Sequence, residues 1–287
     1  MPESGWEHVS SRAADTEARS LAHWDEAGRA GMEAFYALAV EDYRQMVAAR
    51  DWAADLRGSA VDGRVRVLDV ACGSGKFPAE LMRRGLASGV DGMHVEIDLL
   101  DPSVFSIAEA RSVLGPPFVL RAEHAVRLQD LDRTIGGFDV AWATHALYAI
   151  PPDEIGAGVA RMTEALRPGG FGAIVHATTG SHYLRFAEAF RATFAPEATP
   201  FTSAEQVTDA LRAGGADPSS STLRYTVGTD DRAVLEGFLQ RCVFDDSVDL
   251  ATMEAQEPLA GYLASCRDDG TYLFQQEVHV ITWTATA

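Results

Sequence analysis

The chain has 287 residues, 42 acidic against 24 basic, for a formal net charge of −18, with 47% hydrophobic and 23% charged residues. This is the composition of a globular protein with a full core, and it excludes a disordered chain, a collagen and a small disulfide scaffold. So acidic a surface repels phosphate backbones and argues against nucleic acid as a partner, and no apolar run reaches the ~18 residues of a membrane span.

The first twenty residues are polar, contain no signal-peptide core and are expected to be mobile. From about Leu21 to Leu56 the texture is helical: Met32, Phe35, Tyr36, Ala39, Tyr43, Met46 and Val47 form an apolar stripe. Arg64–Val70 is a short β-branched run ending in a glycine-rich turn, and Ser74–Arg84 reads as the helix that follows. Met93–Leu100 predicts a second strand, Pro102–Val113 a helix, Pro117–Arg121 a third strand and Phe138–Ala143 a fourth. Asp153–Leu166 reads as a helix. Residues 167–170 form a turn before a fifth strand, Phe171–Ala177. Helices are expected over His182–Phe194, Ser203–Gly214, and around Asp230–Arg241 and Asp249–Cys266. Leu223–Val227 and the alternating Thr271–Thr284 complete the strands. Strands alternating with helices at this spacing predict an α/β chain with βαβ units and a mostly parallel sheet. Cys72, Cys242 and Cys266 contain no CxxC pair, so a reducing, cytoplasmic setting is expected, with neither a disulfide framework nor a zinc knuckle.

The most informative stretch is Val67-Leu-Asp-Val-Ala-Cys-Gly-Ser-Gly75, a buried strand running into a turn that opens a helix. Glycine there permits positive φ and lets a ligand approach the backbone. A tight turn without ligand is the plain alternative. A dinucleotide fingerprint needs a third small residue three positions after Gly75, where Pro78 stands instead. At the end of the second strand Asp101 offers two oxygens to the two hydroxyls of a ribose, while Asp101 or Ser103 would equally cap the next helix.

LDVACGSG is similar to the first motif of the class I S-adenosylmethionine-dependent methyltransferases. The resemblance implies a Rossmann-like, mostly parallel seven-stranded sheet flanked by helices, with S-adenosyl-L-methionine as cofactor. In that family the loop Ala71–Gly75 packs under the methionine part and Asp69 orders the site. Asp101, with Pro102 and Ser103, holds the ribose. Glu123 and His124 stand where adenine is contacted, and Thr144 and His145 flank the sulfur. Leu166-Arg-Pro-Gly-Gly170 is a further landmark.

His145-Ala-Leu-Tyr-Ala-Ile-Pro-Pro, Leu100-Asp-Pro-Ser, Phe238-Leu-Gln-Arg-Cys-Val-Phe244 and Leu273-Phe-Gln-Gln276 also resemble segments of the histamine N-methyltransferase family, in the same order. That resemblance implies an N-terminal helical extension (1–60) covering the substrate pocket of a methyltransferase domain (61–287). It places Glu41 at the amine-binding acid, Tyr148 and Phe244 at pocket aromatics, His182 and Phe186 where the family has tryptophans, and Gln276 at a substrate-holding amide. Ala71-Cys72-Gly73 replaces a run of glycines, and Ala149 replaces an aromatic. A small-molecule amine is therefore better supported than histamine itself.

Methyl transfer from a sulfonium is an in-line displacement in which the protein supplies alignment and desolvation. Glu41 could bind the ammonium form and take its proton, or be a solvated helix residue. His145, His176 and His182 lie near strand ends where open α/β sheets bind ligands, and His145 or His182 could serve as a base. Tyr183, Phe186, Phe190 and Phe194 recur at helical spacing, as core or as a cage for a cation. No metal is expected. The leading reading is methyl transfer to a nitrogen of a small amine by a monomer or homodimer. The alternatives are O- or C-methylation with a histidine base, or a silent binding protein of the same fold.

Overall fold

The computed structural model describes residues 16–286, so the expectation of a mobile N-terminus lies, for residues 1–15, outside the described residues. Thr16–His23, in part expected to be mobile, is a helix (α1), tied down where the Thr16 hydroxyl donates to the Thr199 carbonyl at 3.0 Å. The helical stretch expected as one piece is two further helices, α2 (Arg29–Ala48) and α3 (Trp52–Ser59). Asp51 starts α3 by accepting from the Ala54 amide at 2.9 Å, an N-cap that local sequence allows and the apolar stripe does not reveal.

The strands follow in chain order: β1 (Arg64–Val70), β2 (His94–Leu100), β3 (Phe118–His124), β4 (Phe138–Thr144), β5 (Leu166–Ala177), β6 (Ser219–Thr229), β7 (Arg267–Asp268) and β8 (Thr271–Thr284). Between them lie α4 (Lys76–Arg83), α5 (Leu86–Gly89), α6 (Val104–Val113), α7 (Ile155–Ala165), α8 (His182–Phe194), α9 (Ala204–Ala213), α10 (Arg232–Cys242), α11 (Leu250–Met253) and α12 (Leu259–Ser265). The sheet runs β3-β2-β1-β4-β5-β8-β6, with the two-residue β7 paired to β8. β1 to β5 are mutually parallel, and β8 is antiparallel to both β5 and β6. This is the class I methyltransferase arrangement, a seven-strand path with one small added ribbon.

Three differences from the sequence reading have local causes. β3 continues to His124 because, past a register shift at Arg121, it stays paired with β2 as far as Leu100. The turn expected at 167–170 is absorbed into β5, whose first residue pairs with Phe138. The single helix expected around Asp249–Cys266 is two short ones, separated before Pro258, which cannot continue a helix from within.

Alternation along β1 sends Val65 and Val67 to one face and Leu68 and Val70 to the other. The first face carries α2, α3, α4 and α6. Buried Trp142 there meets Trp52 and Phe77 edge-on at 6.4 and 5.3 Å. The second face carries α7 and α9 through Val159, Met162, Val207 and Leu211. Each fully buried aliphatic or phenylalanine side chain contributes about 1.5–3 kcal/mol. No helix among the described residues is long and apolar enough to cross a membrane. Strand order reverses between β1 and β4, and open α/β sheets bind ligands in the crevice beyond the carboxyl ends of such strands.

Candidate functional site

A cavity opens at that crevice, roofed by residues of α1, α2 and their connection. Its floor is the turn after β1. The Cys72 amide donates to the Leu100 carbonyl at 3.0 Å, joining the ends of β1 and β2. Asp101 then clasps the turn: Oδ2 accepts from the Gly73 amide at 3.0 Å and Oδ1 from the Ser103 amide at 2.8 Å. Burial pushes its carboxyl up to about 6, against these two bonds. Ser103 caps α6 through the Ser106 amide at 3.1 Å and donates its hydroxyl to the Trp24 carbonyl at 2.6 Å, which seats the roof. Cap and ligand-facing corner coincide here.

The two loop glycines have different duties. A Cβ on Gly75 would stand 2.7 Å from Val113 and 2.9 Å from the Ala110 backbone, so Gly75 serves the packing of the turn on α6. A Cβ on Gly73 would meet nothing within 4 Å, and Gly73 lines the cavity. Gly75→Ala is therefore expected to cost about 2–4 kcal/mol of stability, from steric overlap added to a left-handed alanine. Gly73→Ala should cost only about 1 kcal/mol, while its methyl group projects into the cavity. Urea unfolding and nucleoside binding of both variants check this, and equal stability losses would contradict it.

Among the described residues five non-glycine residues have positive φ, and three of them, Ala71, His145 and Phe244, line the cavity. Such conformations persist where surrounding structure over-determines them and cluster at functional sites.

The residues singled out from the sequence divide cleanly. Ala71, Gly73, Asp101, Pro102, Ser103, Thr144, His145, Tyr148 and Phe244 line the cavity. Asp69 lies beneath it, accepting from the Trp142 indole at 2.8 Å, and burial pushes its carboxyl up to about 8. Glu123 is paired with Arg111 at 2.8 Å and His124 with Asp98 at 2.9 Å, both away from the cavity. Because β3 runs on through His124, the wall expected from them is made by Val126, Leu128 and Gln129 instead.

On the acceptor side the corrections are of one kind. Glu41 accepts from Gln45 at 2.6 Å and Arg44 at 3.3 Å outside the cavity, and its neighbour Asp42 faces inward. His182 and Phe186 lie in the aromatic core. The His182 ring stacks on Phe274 at 4.0 Å, shares a hydrogen bond with the Tyr262 hydroxyl at 2.8 Å, and is pushed down to about 3 by burial. It is again the next residue, Tyr183, that reaches the cavity. Gln276 is buried outside it, accepting from Ser181 at 2.6 Å. His176 is buried as well, bonded to the Thr202 carbonyl at 3.0 Å. One step along a helix turns a side chain by about 100°, so a residue placed one position off by a family resemblance faces away from the cavity.

Asp42 is 2% exposed. It accepts from the hydroxyls of Tyr183 at 2.5 Å and Tyr225 at 2.9 Å, and burial pushes its carboxyl up to about 7 against those bonds. No arginine, lysine or histidine nitrogen lies within 4.0 Å of it among the described residues. His145 shares a hydrogen bond through Nδ1 with the Tyr148 hydroxyl, which also accepts from the Ala177 amide at 3.3 Å. Burial lowers the imidazole to about 3, so it is neutral at physiological pH.

Residues 67–170 match the family model for a methyltransferase domain. The chain carries a methyltransferase domain over these residues. No curated protein matches the chain. Solved structures share its fold at low identity. A proposed methyltransferase of Bacillus halodurans is 14% identical with a TM-score of 0.58, over 83% of this chain and 99% of that one. The YcgJ protein of Bacillus subtilis is 12% identical with a TM-score of 0.54, over 86% and 99%. Magnesium protoporphyrin IX methyltransferase of Synechocystis, with S-adenosylhomocysteine bound, is 12% identical with a TM-score of 0.54, over 93% and 99%.

The cavity suits the cofactor on its own chemistry. The open backbone at Gly73 and the carboxylate of Asp101 lie at the carboxyl ends of β1 and β2, with Thr144 and His145 at the end of β4.

Proposed function

We propose that the protein transfers a methyl group from S-adenosylmethionine to a nitrogen of a small-molecule amine, and that Asp42 receives the amine. The observation that carries this reading is the buried Asp42 carboxylate: it lines the cavity, is held by two tyrosines and has no cationic partner among the described residues. Leaving a carboxylate without a counter-charge at such a depth is costly, and an ammonium ligand would relieve that cost.

When bound, the cofactor supplies an electrophilic methyl group on a sulfonium. The chain's residues do the rest. Gly73, Asp101 and Ser103 hold the nucleoside from the ends of β1 and β2. Asp42 holds the ammonium form of the acceptor and, with its carboxyl near 7, accepts the proton whose departure frees the nitrogen lone pair. Tyr36, Tyr43, Tyr148, Phe201 and Phe244 surround the cation with aromatic faces and exclude water. α1 and α2 would cap this half of the site.

Burial holds the His145 imidazole near 3, which makes it a poor base for an oxygen acceptor.

The test is calorimetry with S-adenosylhomocysteine and NAD, then turnover on amine and phenol panels. Binding of the first nucleoside alone, with methylation of amines and not of phenols, is the expected result. Equal methylation of phenols would overturn the amine assignment, and tight nucleoside binding without turnover would favour a silent protein.

A further inference from the structure

Asp42 and Asp101 are buried carboxyls in the cavity wall with no cationic partner within 4.0 Å among the described residues. The buried cation of the same wall is Arg241, on α10, 3% exposed and also lining the cavity. Only two arginines are buried among the described residues. Arg161 lies 3.5 Å from Glu164, whereas no carboxylate oxygen stands within 4.0 Å of Arg241. Arg241 donates instead to two neutral carbonyls, those of His23 and Gly28, and its guanidinium lies over the Trp24 ring at 5.0 Å.

The fold keeps space for this group. A Cβ on Gly31 would stand 2.6 Å from Nη2, and one on Gly28 3.3 Å from Nη1. A guanidinium has five N–H donors, and two carbonyls leave several free. Burial pulls Arg241 down to about 10, against the raising pull of Tyr36, Asp246 and Asp25, neither carboxylate being within 4.0 Å. Trp24 and Tyr36 belong to the same wall. Trp24 is bonded to Ser103, and Tyr36 accepts from Ser74 at 3.0 Å in the turn after β1. Arg241 therefore borders both the nucleoside corner and the acceptor chamber.

We propose that Arg241 is the carboxylate receptor of this cavity, its guanidinium pairing with a carboxylate that a ligand carries into the site. A carboxylate suits the place better than a phosphate. The cavity already holds Asp42 and Asp101, so a dianion would be repelled where a single charge is balanced by a single guanidinium. Two ligands can present that chemistry: the cofactor through its amino-acid end, or an acceptor that is itself an amino acid. The second source rests on the amine reading above, with the amine on Asp42 and the acid on Arg241. The first does not.

The experiment uses matched probes with and without the carboxylate. For the cofactor arm they are S-adenosylhomocysteine and 5′-methylthioadenosine, compared by calorimetry. For the acceptor arm they are tyrosine with tyramine and histidine with histamine, compared by kcat/KM. In one arm the wild type should favour the acid by about 30-fold or more, the scale of a buried charge pair. Arg241→Met should erase that preference, and Arg241→Lys, a point charge without the fork, should narrow it. A purely structural arginine, one that only pins the connection between α1 and α2, would weaken both members of each pair by the same factor. That result overturns the proposal, as does the lack of any preference for the acid in either wild-type arm. Should Arg241→Met fail to fold, an unchanged preference in Arg241→Lys is the overturning result. Nucleoside binding without amine turnover strikes the amine reading and leaves the cofactor arm to decide. If wild-type protein binds neither nucleoside, both proposals fall.

Discussion

Asp42→Asn is expected to lower kcat/KM for amine acceptors by about 10²- to 10⁴-fold, the range of a lost acid–base group, with little effect on nucleoside binding. An asparagine amide can still meet the hydroxyls of Tyr183 and Tyr225, so the pocket keeps its shape and loses only its charge. A second readout has a defined sign. The carboxyl titrates near 3.8 in an unfolded chain and near 7 in the folded one, so the native protein holds the proton more tightly. The stability this confers is fully present below about pH 4 and is lost as pH rises through about 7, by roughly 4 kcal/mol at most. Asp42→Asn should therefore melt with the wild type at pH 4 and above it at pH 8. Glu41→Gln, outside the cavity, should change neither turnover nor melting. Similar losses on amines and phenols, or a lower melting temperature at pH 8, would remove Asp42 from the role.

The second large effect is expected at Asp101. Asp101→Ala removes the proposed ribose acceptor and also releases the Gly73 and Ser103 amides, so the turn after β1 should lose its preformed shape. Cofactor affinity should fall by about 1–3 kcal/mol for the unmatched diol alone, with loop disorder adding to it. Asp101→Asn is instructive as well, because an amide nitrogen facing the Gly73 N–H is a donor against a donor. In the wild type the carboxyl titrates near 6, and the ionised form is the one that accepts from hydroxyls. Affinity for S-adenosylhomocysteine should therefore weaken as pH falls through 6, and the alanine variant should lose that dependence. Calorimetry at pH 5 and 8 checks both, and an unchanged dissociation constant would take the ribose away from Asp101.

What could be read in advance was whatever depends on neighbours in the chain. The β-branched run at β1, the glycines after it and the acid closing β2 are local features, and each sits at the crevice where the strand order reverses. The acceptor side depends on which face of α2 and α8 turns inward. The apolar stripe on α2 does face inward, but the family resemblance points to Glu41 and His182, and on each helix it is the next residue, Asp42 or Tyr183, that lines the cavity. The two elements meet where the Tyr183 hydroxyl donates to Asp42, across 141 positions of sequence.

The sequence by itself determined the class of fold, the order of its elements and the end of the sheet where a nucleoside binds. Those follow from apolar period, turn chemistry and the handedness of βαβ units, all of them short-range. Only the tertiary structure decided which polar groups lose water. Asp42 and Arg241 look on paper like any of the chain's many surface charges, and they become unusual because α2, α8 and α10 pack around them and, among the described residues, no ion-pair partner stands within 4.0 Å.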